Sequence, residues 1–228
     1  MGKAIEQILL DRGHTAPVII DVDNLADMTP ENLRKADLAI EFTTPDTAYG
    51  NIVKCLEAGV PVVCGTTAWL DRYDEVVTLC KKLDGTFFYA SNYSVGVNIF
   101  FRINRMLASI MNHYGEYDVT INEVHHTQKK DAPSGTAITL AEGILGNIDR
   151  KSEWHLGTTT DAEELEITSQ RRSIVPGIHT VTWESPFDVI TIDHNVKTRN
   201  GLAAGAVMAA EFLYGKKGIY TMDDLMDF

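Results

Sequence analysis

Apolar and polar positions along the chain follow two periods. From Gly2 to about Arg12, Ile5, Ile8 and Leu9 recur at helical spacing and Gly13 supplies a stop, so the first element is a helix with no strand ahead of it. A short apolar run, Val18 to Ile20, reads as a strand closed by Asp21, with Val22, Asp23 and Asn24 leading into a polar helix. Leu38 to Phe42 is a second strand, ended by Thr43, Thr44 and Pro45, and a helix through Ile52, Val53, Leu56 and Ala58 runs on to Gly59. Val60 to Cys64 is a third strand and leads into Gly65, Thr66 and Thr67. A helix carrying Tyr73, Val76, Val77 and Cys80 precedes a fourth, Thr86 to Ala90, which ends at Ser91, Asn92 and Tyr93. Strands alternating with helices of this length predict a Rossmann-like parallel, doubly wound sheet. The small and hydroxyl residues at the strand ends also suit caps and tight turns, but three such loops in register favour a cofactor crevice.

After Gly96 the pattern changes. Ile99, Phe100, Ile103, Met106, Leu107 and Ile110 give the segment from Val97 to Tyr114 a wide apolar stripe, the mark of a long helix buried along one side. Period-2 alternation follows, with Val119, Ile121 and Glu123 on one face, then runs from Leu165 to Val175, His179 to Glu184 and Phe187 to His194; Ser185 and Pro186 make the last turn. This is an α+β region with a mixed-to-antiparallel sheet. The final helix, about Leu202 to Tyr214, is rich in alanine and glycine, so another backbone can approach it closely. The expected division is a dinucleotide-binding domain of residues 1–95 and 199–228, with a substrate-binding and oligomerisation domain, 96–198, inserted before the last helix.

Composition narrows the partners. The 228 residues hold 20 basic against 32 acidic side chains, a formal charge of −12, so the protein's field repels nucleic acid and anionic membrane surfaces, and an anionic ligand needs a local basic patch. No stretch approaches the roughly 18 apolar residues of a membrane span, and Met1 leads into a helix rather than an export signal. Cys55, Cys64 and Cys80 are odd in number and match no zinc or CxxC spacing, which argues against disulfides and a metal site and for a cytoplasmic setting.

The chemistry concentrates in EVHHTQKKDAPSGTA, residues 123 to 137. Two histidines and two lysines fall between His125 and Lys130 with no acid among them, a patch suited to a small anion. Asp131, Ala132 and Pro133 then set up a helix start, proline suiting the first turn, and Ala137, Leu140, Ala141 and Ile144 continue at helical spacing. Ser134, Gly135 and Thr136 thus lie where free N–H groups and the helix dipole attract carboxylate or phosphate. Alternatives stand beside each part: the adjacent histidines point to opposite faces of a strand, the paired lysines suit a solvated turn, and Ser134 suits a cap. Asp21 follows Gly2 by about 20 positions, the spacing of the ribose-binding acid in a dinucleotide-binding unit, and also suits a turn or cap.

EVHHTQKKDAPSGTA resembles the signature of the 4-hydroxy-tetrahydrodipicolinate (dihydrodipicolinate) reductase family, and EFTTP, CGTT, ASNYSVGVN, HNVKTRNGLAAGAVMAA and GIYTMDDLM resemble its other blocks in the same order. The resemblance implies NAD(P)H-dependent reduction of a small cyclic dicarboxylate in the diaminopimelate route to lysine, by a homotetramer built through the second domain's sheet. It implies His125 as the acid/base histidine, Lys129 as a proton donor, and His126, Ser134, Gly135 and Thr136 as the substrate's carboxylate holders. Gly2, Asp21, Phe42, Thr43, Gly65, Thr66, Thr67, Ala90, Ser91, Asn92 and Tyr93 would line the cofactor. With no basic neighbour beside Asp21 or Asp23 to take a 2′-phosphate, NADH is expected over NADPH. Two departures stand out. The family's glycine-rich loop is represented only by Met1 and Gly2, so the first domain is expected to lack its first strand and most of that loop and to bind dinucleotide weakly. PGIH at 176–179 replaces a glycine-acid-histidine sequence, a change expected to affect only the sheet. Another two-domain nicotinamide-dependent dehydrogenase, of semialdehyde or homoserine type, would share the first domain without needing HHTQKKDAPSGT, and a non-catalytic dinucleotide sensor would dispense with His125 and Lys129.

Overall fold

The computed structural model describes residues 1–228, which form two compact units, Met1–Val95 with Asn200–Phe228, and Gly96–Arg199. In chain order the elements are α1 (Gly2–Asp11), α2 (Pro30–Leu33), β1 (Ala39–Glu41), α3 (Pro45–Glu57), β2 (Val62–Cys64), α4 (Tyr73–Lys82), β3 (Thr86–Tyr89), α5 (Val95–Met111), β4 (Asp118–His125), α6 (Gly135–Leu145), β5 (Glu153–Leu156), β6 (Glu164–Arg171), β7 (Ile178–Glu184), β8 (Val189–Asn195), α7 (Asn200–Leu213), β9 (Gly218–Tyr220) and α8 (Met222–Met226).

In the first unit β1, β2, β3 and β9 pair in that order, all parallel. Successive residues of a strand face opposite sides, and both sides here are apolar, as a parallel sheet covered on two faces requires. Val62, Cys64 and Phe87 pack with Ile52, Leu56, Val76 and Cys80 of α3 and α4; Val63 and Phe88 pack with Ile5 of α1 and Ala203, Ala206 and Val207 of α7. Fully burying a side chain of this size contributes about 1.5–3 kcal/mol. The small residues of α7 have a specific use at Gly205, where an added Cβ would lie 1.7 Å from the Tyr93 carbonyl oxygen.

Val18–Ile20 does not form a strand, nor does a helix of ordinary pitch follow it. A strand is stabilised by its ladder, and the Ile19 carbonyl instead accepts a hydrogen bond from the Asn24 side chain at 2.9 Å. Asn24 Oδ1 also accepts the Asp21 N–H at 2.7 Å while Asp21 Oδ1 accepts the Val22 N–H at 2.8 Å. This reciprocal cap starts a 3₁₀ turn, Val22–Asp27, and leaves Ile19 54% exposed.

The second unit is a five-stranded sheet in the order β5-β6-β4-β7-β8. β4 and β5 each pair parallel to β6, whereas β4–β7 and β7–β8 are antiparallel; the sheet is evenly mixed. Val119, Ile121, Leu165, Ile167, Val181 and Trp183 form one face and pack with Phe100, Ala108, Leu140 and Ile144 of α5 and α6. Thr120, Asn122, Thr168, Thr180 and Thr182 line the other face and stay partly or fully exposed, the alternation of a sheet with one covered face.

Replacing Gly205 with alanine should lower the thermal unfolding midpoint by several degrees, because the displaced atom is backbone and overpacking costs about 1–3 kcal/mol. Gly135→Ala, where an added Cβ meets nothing within 4 Å, should leave it near wild type. An unchanged midpoint for Gly205→Ala would contradict the close approach of α7 to Tyr93.

Candidate active site

The covered face of the mixed sheet changes character at one end. Along β4 it reads Val119, Ile121, Glu123, His125; along β6 Leu165, Ile167, Ser169, Arg171; along β7 Trp183, Val181, His179. Register sets Glu123 directly opposite Ser169 on one side and His179 on the other, and His125 opposite Arg171. Core-facing positions that carry apolar side chains lower in the sheet thus carry a cluster of ionisable and hydroxyl groups at this end.

Glu123 is 0% exposed, and a buried carboxylate is tolerated only when its lone pairs are used. Its oxygens accept the Ser134 N–H at 3.2 and 3.1 Å and the Ser169 hydroxyl at 2.8 Å, and Arg171 Nη1 approaches at 3.5 Å. His125 Nδ1 lies 3.4 Å and His179 Nε2 3.7 Å from Oε2. The donor atoms of Glu123, His125 and His179 lie within 4.8 Å of one another, close enough to share a cation. The carboxylate is already filled by N–H and O–H donors and neutralised in part by Arg171, so the arrangement fits hydrogen-bonded machinery better than a metal centre.

Ser134 is the N-cap of α6. Its Oγ accepts the Ala137 N–H at 3.2 Å and shares a hydrogen bond with His179 Nε2 at 3.0 Å. Both its side chain and its N–H are therefore turned into the protein, which makes Ser134 a support for the helix start rather than a free ligand group. Pro133 precedes the cap and does not lie in the first turn. Gly135 and Thr136 open the helix, and their N–H groups have no acceptor within it. Gly135 is exposed. Lys129 Nζ pairs with Asp131 Oδ2 at 2.7 Å, and Arg171 holds this loop by donating to the carbonyls of Lys129 at 3.2 Å and Asp131 at 2.7 Å. The two histidines part company as the strand alternation requires: His125 is buried, while His126 is half-buried and lies 3.4 Å from Arg199 Nη2.

Sequence reasoning missed Glu123, Ser169, Arg171, Arg199 and His179 as site residues. A signal existed for Glu123, an acid in line with Val119 and Ile121 on the core face. The PGIH segment reaches beyond the sheet: an added Cβ at Gly177 would lie 3.1 Å from His125 Nε2 and 3.7 Å from His179 Cε1.

Burial lowers the His125 pKa; Glu123 opposes that shift, and Lys129 and Arg171 reinforce it. His179 is lowered to about 4, by burial first and then by His125. For Glu123 burial acts upward, but the hydrogen bonds from Ser134 and Ser169, with His125 close by, hold its pKa below the usual carboxylate value. Near pH 7 the rings are neutral and Glu123 is ionised.

In the first unit three loops meet at the carboxyl ends of the parallel strands. The Thr43 N–H donates to Thr66 Oγ1 at 2.8 Å, Tyr93 Oη donates to the Cys64 carbonyl at 2.6 Å, and the Phe42 and Tyr93 rings lie 5.5 Å apart. Gly65 is required by packing, since a Cβ there would lie 2.2 Å from the Phe42 ring. Buried Glu41 anchors the arrangement beneath, accepting from the Thr43 hydroxyl and, at 3.0 Å, from Cys64 Sγ. Thr43, Thr67 and Ser91 stay exposed, Asn92 is half-buried and Ala90 is buried. Gly2 and Asp21 are not tied to these loops by any hydrogen bond or ion pair; Gly2 opens α1 and Asp21 caps the 3₁₀ turn. Cavities of about 200 and 440 Å³ lie at the other end of the same sheet, lined in part by Gly85, Lys217 and Asp84, away from these loops.

Small, uncharged and hydroxyl-bearing loops at the ends of parallel strands fit a nicotinamide dinucleotide, and proton carriers beside free helical N–H groups in the other unit suit an anionic substrate. That combination defines a class, the nicotinamide-dependent oxidoreductases with a separate substrate-binding unit. Family models described as dihydrodipicolinate reductase, N-terminus and C-terminus, match residues 4–93 and 96–226. A 4-hydroxy-tetrahydrodipicolinate reductase of Christiangramia forsetii is 46% identical over 226 residues, covering 99% of this chain and 93% of the relative, and one of Neisseria meningitidis is 32% identical over 229 residues, covering 97% and 83%. The chain belongs to the dihydrodipicolinate reductase family and is an NAD(P)H-dependent oxidoreductase. The fold is shared with a dipicolinate-bound dihydrodipicolinate reductase from Paenisporosarcina (TM-score 0.75, 20% identity, 96% of this chain and 92% of that one). It is shared more loosely with an amine dehydrogenase from Mycobacterium smegmatis (TM-score 0.59, 14% identity, 98% and 92%).

Acidification must protonate rings that the folded protein holds neutral. An unfolded histidine titrates near 6.5 and His179 near 4, so the stability it contributes is complete above pH 6.5 and is lost, by about 3 kcal/mol, as pH falls toward 4. Glu123, also lowered, acts in the same direction at lower pH. The unfolding midpoint of the wild type should therefore fall between pH 6.5 and 4, and that of His179→Asn should fall less over the same window. Equal slopes would contradict the neutral, buried state of His179.

Proposed function

We propose that the second unit holds the substrate's carboxylates and delivers the proton in the family's reaction, the NAD(P)H-dependent reduction of 4-hydroxy-tetrahydrodipicolinate to tetrahydrodipicolinate on the diaminopimelate route to lysine. The observation that carries this reading is the open start of α6, with the Gly135 and Thr136 N–H groups unclaimed, His125 and Arg171 gathered around the buried carboxylate that seats it, and Lys129 in the preceding loop that Arg171 holds, in a chain of net charge −12.

When bound, the reduced nicotinamide supplies a hydride, and Phe42, Thr43, Gly65 to Thr67 and Ala90 to Tyr93 would hold it, with Gly2 and Asp21 toward the rest of the dinucleotide. The residues of this chain do the remainder. Gly135 and Thr136 N–H groups hold one carboxylate with the favourable end of the helix dipole behind them, and His126, beside Arg199, takes part in holding the dicarboxylate. Ser134 serves from behind, fixing the helix start on Glu123. The product lacks the substrate's 4-hydroxyl, so as the hydride is added that oxygen must depart as water, and a proton must be delivered to balance the charge. His125 carries a ring whose two nitrogens can take up and release a proton, burial favouring its release, and Lys129, tethered by Asp131, adds positive charge and a second proton source.

NADH is the preferred cofactor in this reading. Asp21 is exposed and its neighbours Val22 and Asp23 bring no positive charge, so a 2′-phosphate would meet repulsion. The assembly is a cytoplasmic homotetramer joined through the mixed sheet, where β8 exposes Val189 and Ile190 and the adjoining turn leaves Phe187 86% exposed; sedimentation should give about four times the chain mass.

His125→Gln and Lys129→Ala should each lower kcat by about 100-fold or more, with NADH affinity little changed, in an assay following loss of NADH absorbance with freshly generated substrate. Near wild-type turnover of both variants would refute the roles given to these residues. The kcat/KM for NADH should exceed that for NADPH, and a strong preference for NADPH would overturn the cofactor assignment.

A further inference from the structure

Glu123 does more in this cluster than a buried structural acid needs to do. It stands two positions before His125 on the same face of β4 and opposite Ser169 and His179 in the sheet register. Its hydrogen bonds to the Ser134 N–H and the Ser169 hydroxyl fix where the carboxylate points. So fixed, Oε2 faces His125 Nδ1 at 3.4 Å, an ion-pair distance longer than an ordinary hydrogen bond. Nδ1 is fully buried and makes no hydrogen bond, so the Glu123 carboxylate is the ion-pair group it faces and Nε2 is left as the ring nitrogen for proton exchange. Gly177 keeps the space beside Nε2 open, since an added Cβ would lie 3.1 Å away.

We propose that Glu123 is a positioning residue for proton delivery: its carboxylate holds the His125 proton on Nδ1 in the neutral ring and stabilises the doubly protonated ring, so that Nε2 is the nitrogen that releases the proton. The proposal rests on the reading of His125 as the proton carrier and adds the group that sets its tautomer and its acidity. The physical logic is that of a carboxylate orienting an imidazole from the side away from the reaction. The charged and titratable groups facing His125 are Glu123 on its own strand, Arg171 from β6, His179 from β7, and Lys129 and Asp131 from the following loop; His194 of β8 stands opposite His179. Lys129 and Arg171 act against protonation of His125; Glu123 and Asp131 favour it, Glu123 the more strongly. Removing its charge must make the ring a stronger acid.

The test is an NMR titration of the His125 ring in the full-length free protein, assigned by comparison with His125→Gln. In the wild type the neutral ring should show the nitrogen shifts of the Nδ1–H tautomer. In Glu123→Gln the titration midpoint should fall by about one pH unit, and the limb of the kcat/KM profile should move to lower pH by the same amount. Glu123→Asp, which keeps the charge, should stay closer to wild type. A merely structural role for Glu123 would lower the plateau of the profile without moving its limb. An Nε2–H tautomer in the wild type, or an unchanged midpoint in folded Glu123→Gln, overturns the proposal. Should Glu123→Gln fail to fold, the wild-type tautomer decides alone. These ring measurements need no substrate, so a wild-type protein that consumes neither NADH nor NADPH with 4-hydroxy-tetrahydrodipicolinate refutes the proposed function and leaves the tautomer result standing.

Discussion

A carboxylate with no exposure to water must be paired on every side, and the second unit is arranged around meeting that requirement for Glu123. Its partners come from four places in the chain: the start of α6, the end of β6, the start of β7 and the next core-facing residue of β4 itself. A slip of one residue in the pairing of β4 would send Glu123 to the solvent face and Asn122 into the cluster. The same bonds that satisfy the acid therefore pin the register, seat the helix start whose N–H groups are free, and place a histidine with one nitrogen buried. Stability and chemistry share one set of contacts here, so substitutions at Ser134 or Ser169 act on both.

The chain's charge acquires a local meaning from this arrangement. Across a protein carrying −12, the loop from His126 to Lys130 gathers cations without an acid among them, and Arg171 braces that loop through the carbonyls of Lys129 and Asp131. Asp131 fixes Lys129 in place and offsets part of its charge, while Glu123 is sealed beneath Ser134, away from solvent. In the first unit the counterpart is Glu41, buried under the strand-end loops and bonded to Thr43 and Cys64. Each unit thus anchors the loops of its candidate site on a buried acid.

Much of this was legible in the residues, because helical and alternating periods are written directly in side-chain type. The helical period from Val97 onward and the runs at Val60–Cys64 and Thr86–Ala90 correspond to α5, β2 and β3, but the stripe expected to be buried is not the buried face: Ile99, Ile103, Met106 and Ile110 are exposed, and α5 packs through Val97, Phe100, Phe101 and Ala108 instead. Val18–Ile20 failed because apolar character alone does not make a strand: its backbone is held by Asn24 rather than by a neighbouring strand. β5 and β9 are short and carry mixed residues, so only pairing reveals them. In the site, His125, Lys129 and the α6 start stood together in one motif. Ser169, Arg171, Gly177 and His179 lie 44 to 54 positions beyond His125 in the sequence and join it only through sheet register. Glu123 was visible on the core face of its strand, and its burial, which a sequence does not state, is what gives it significance.

The central claim is that the start of α6, held from behind by Glu123, grips a dicarboxylate through N–H groups that nothing else in the protein uses. Gly135→Pro tests it directly. Proline suits the first position of a helix and removes one donor, and an added Cβ there meets nothing within 4 Å. Calorimetric titration with pyridine-2,6-dicarboxylate should show affinity lowered by about ten-fold, the worth of one hydrogen bond to a charged group, with the unfolding midpoint unchanged. Wild-type affinity in a folded Gly135→Pro protein would contradict the account.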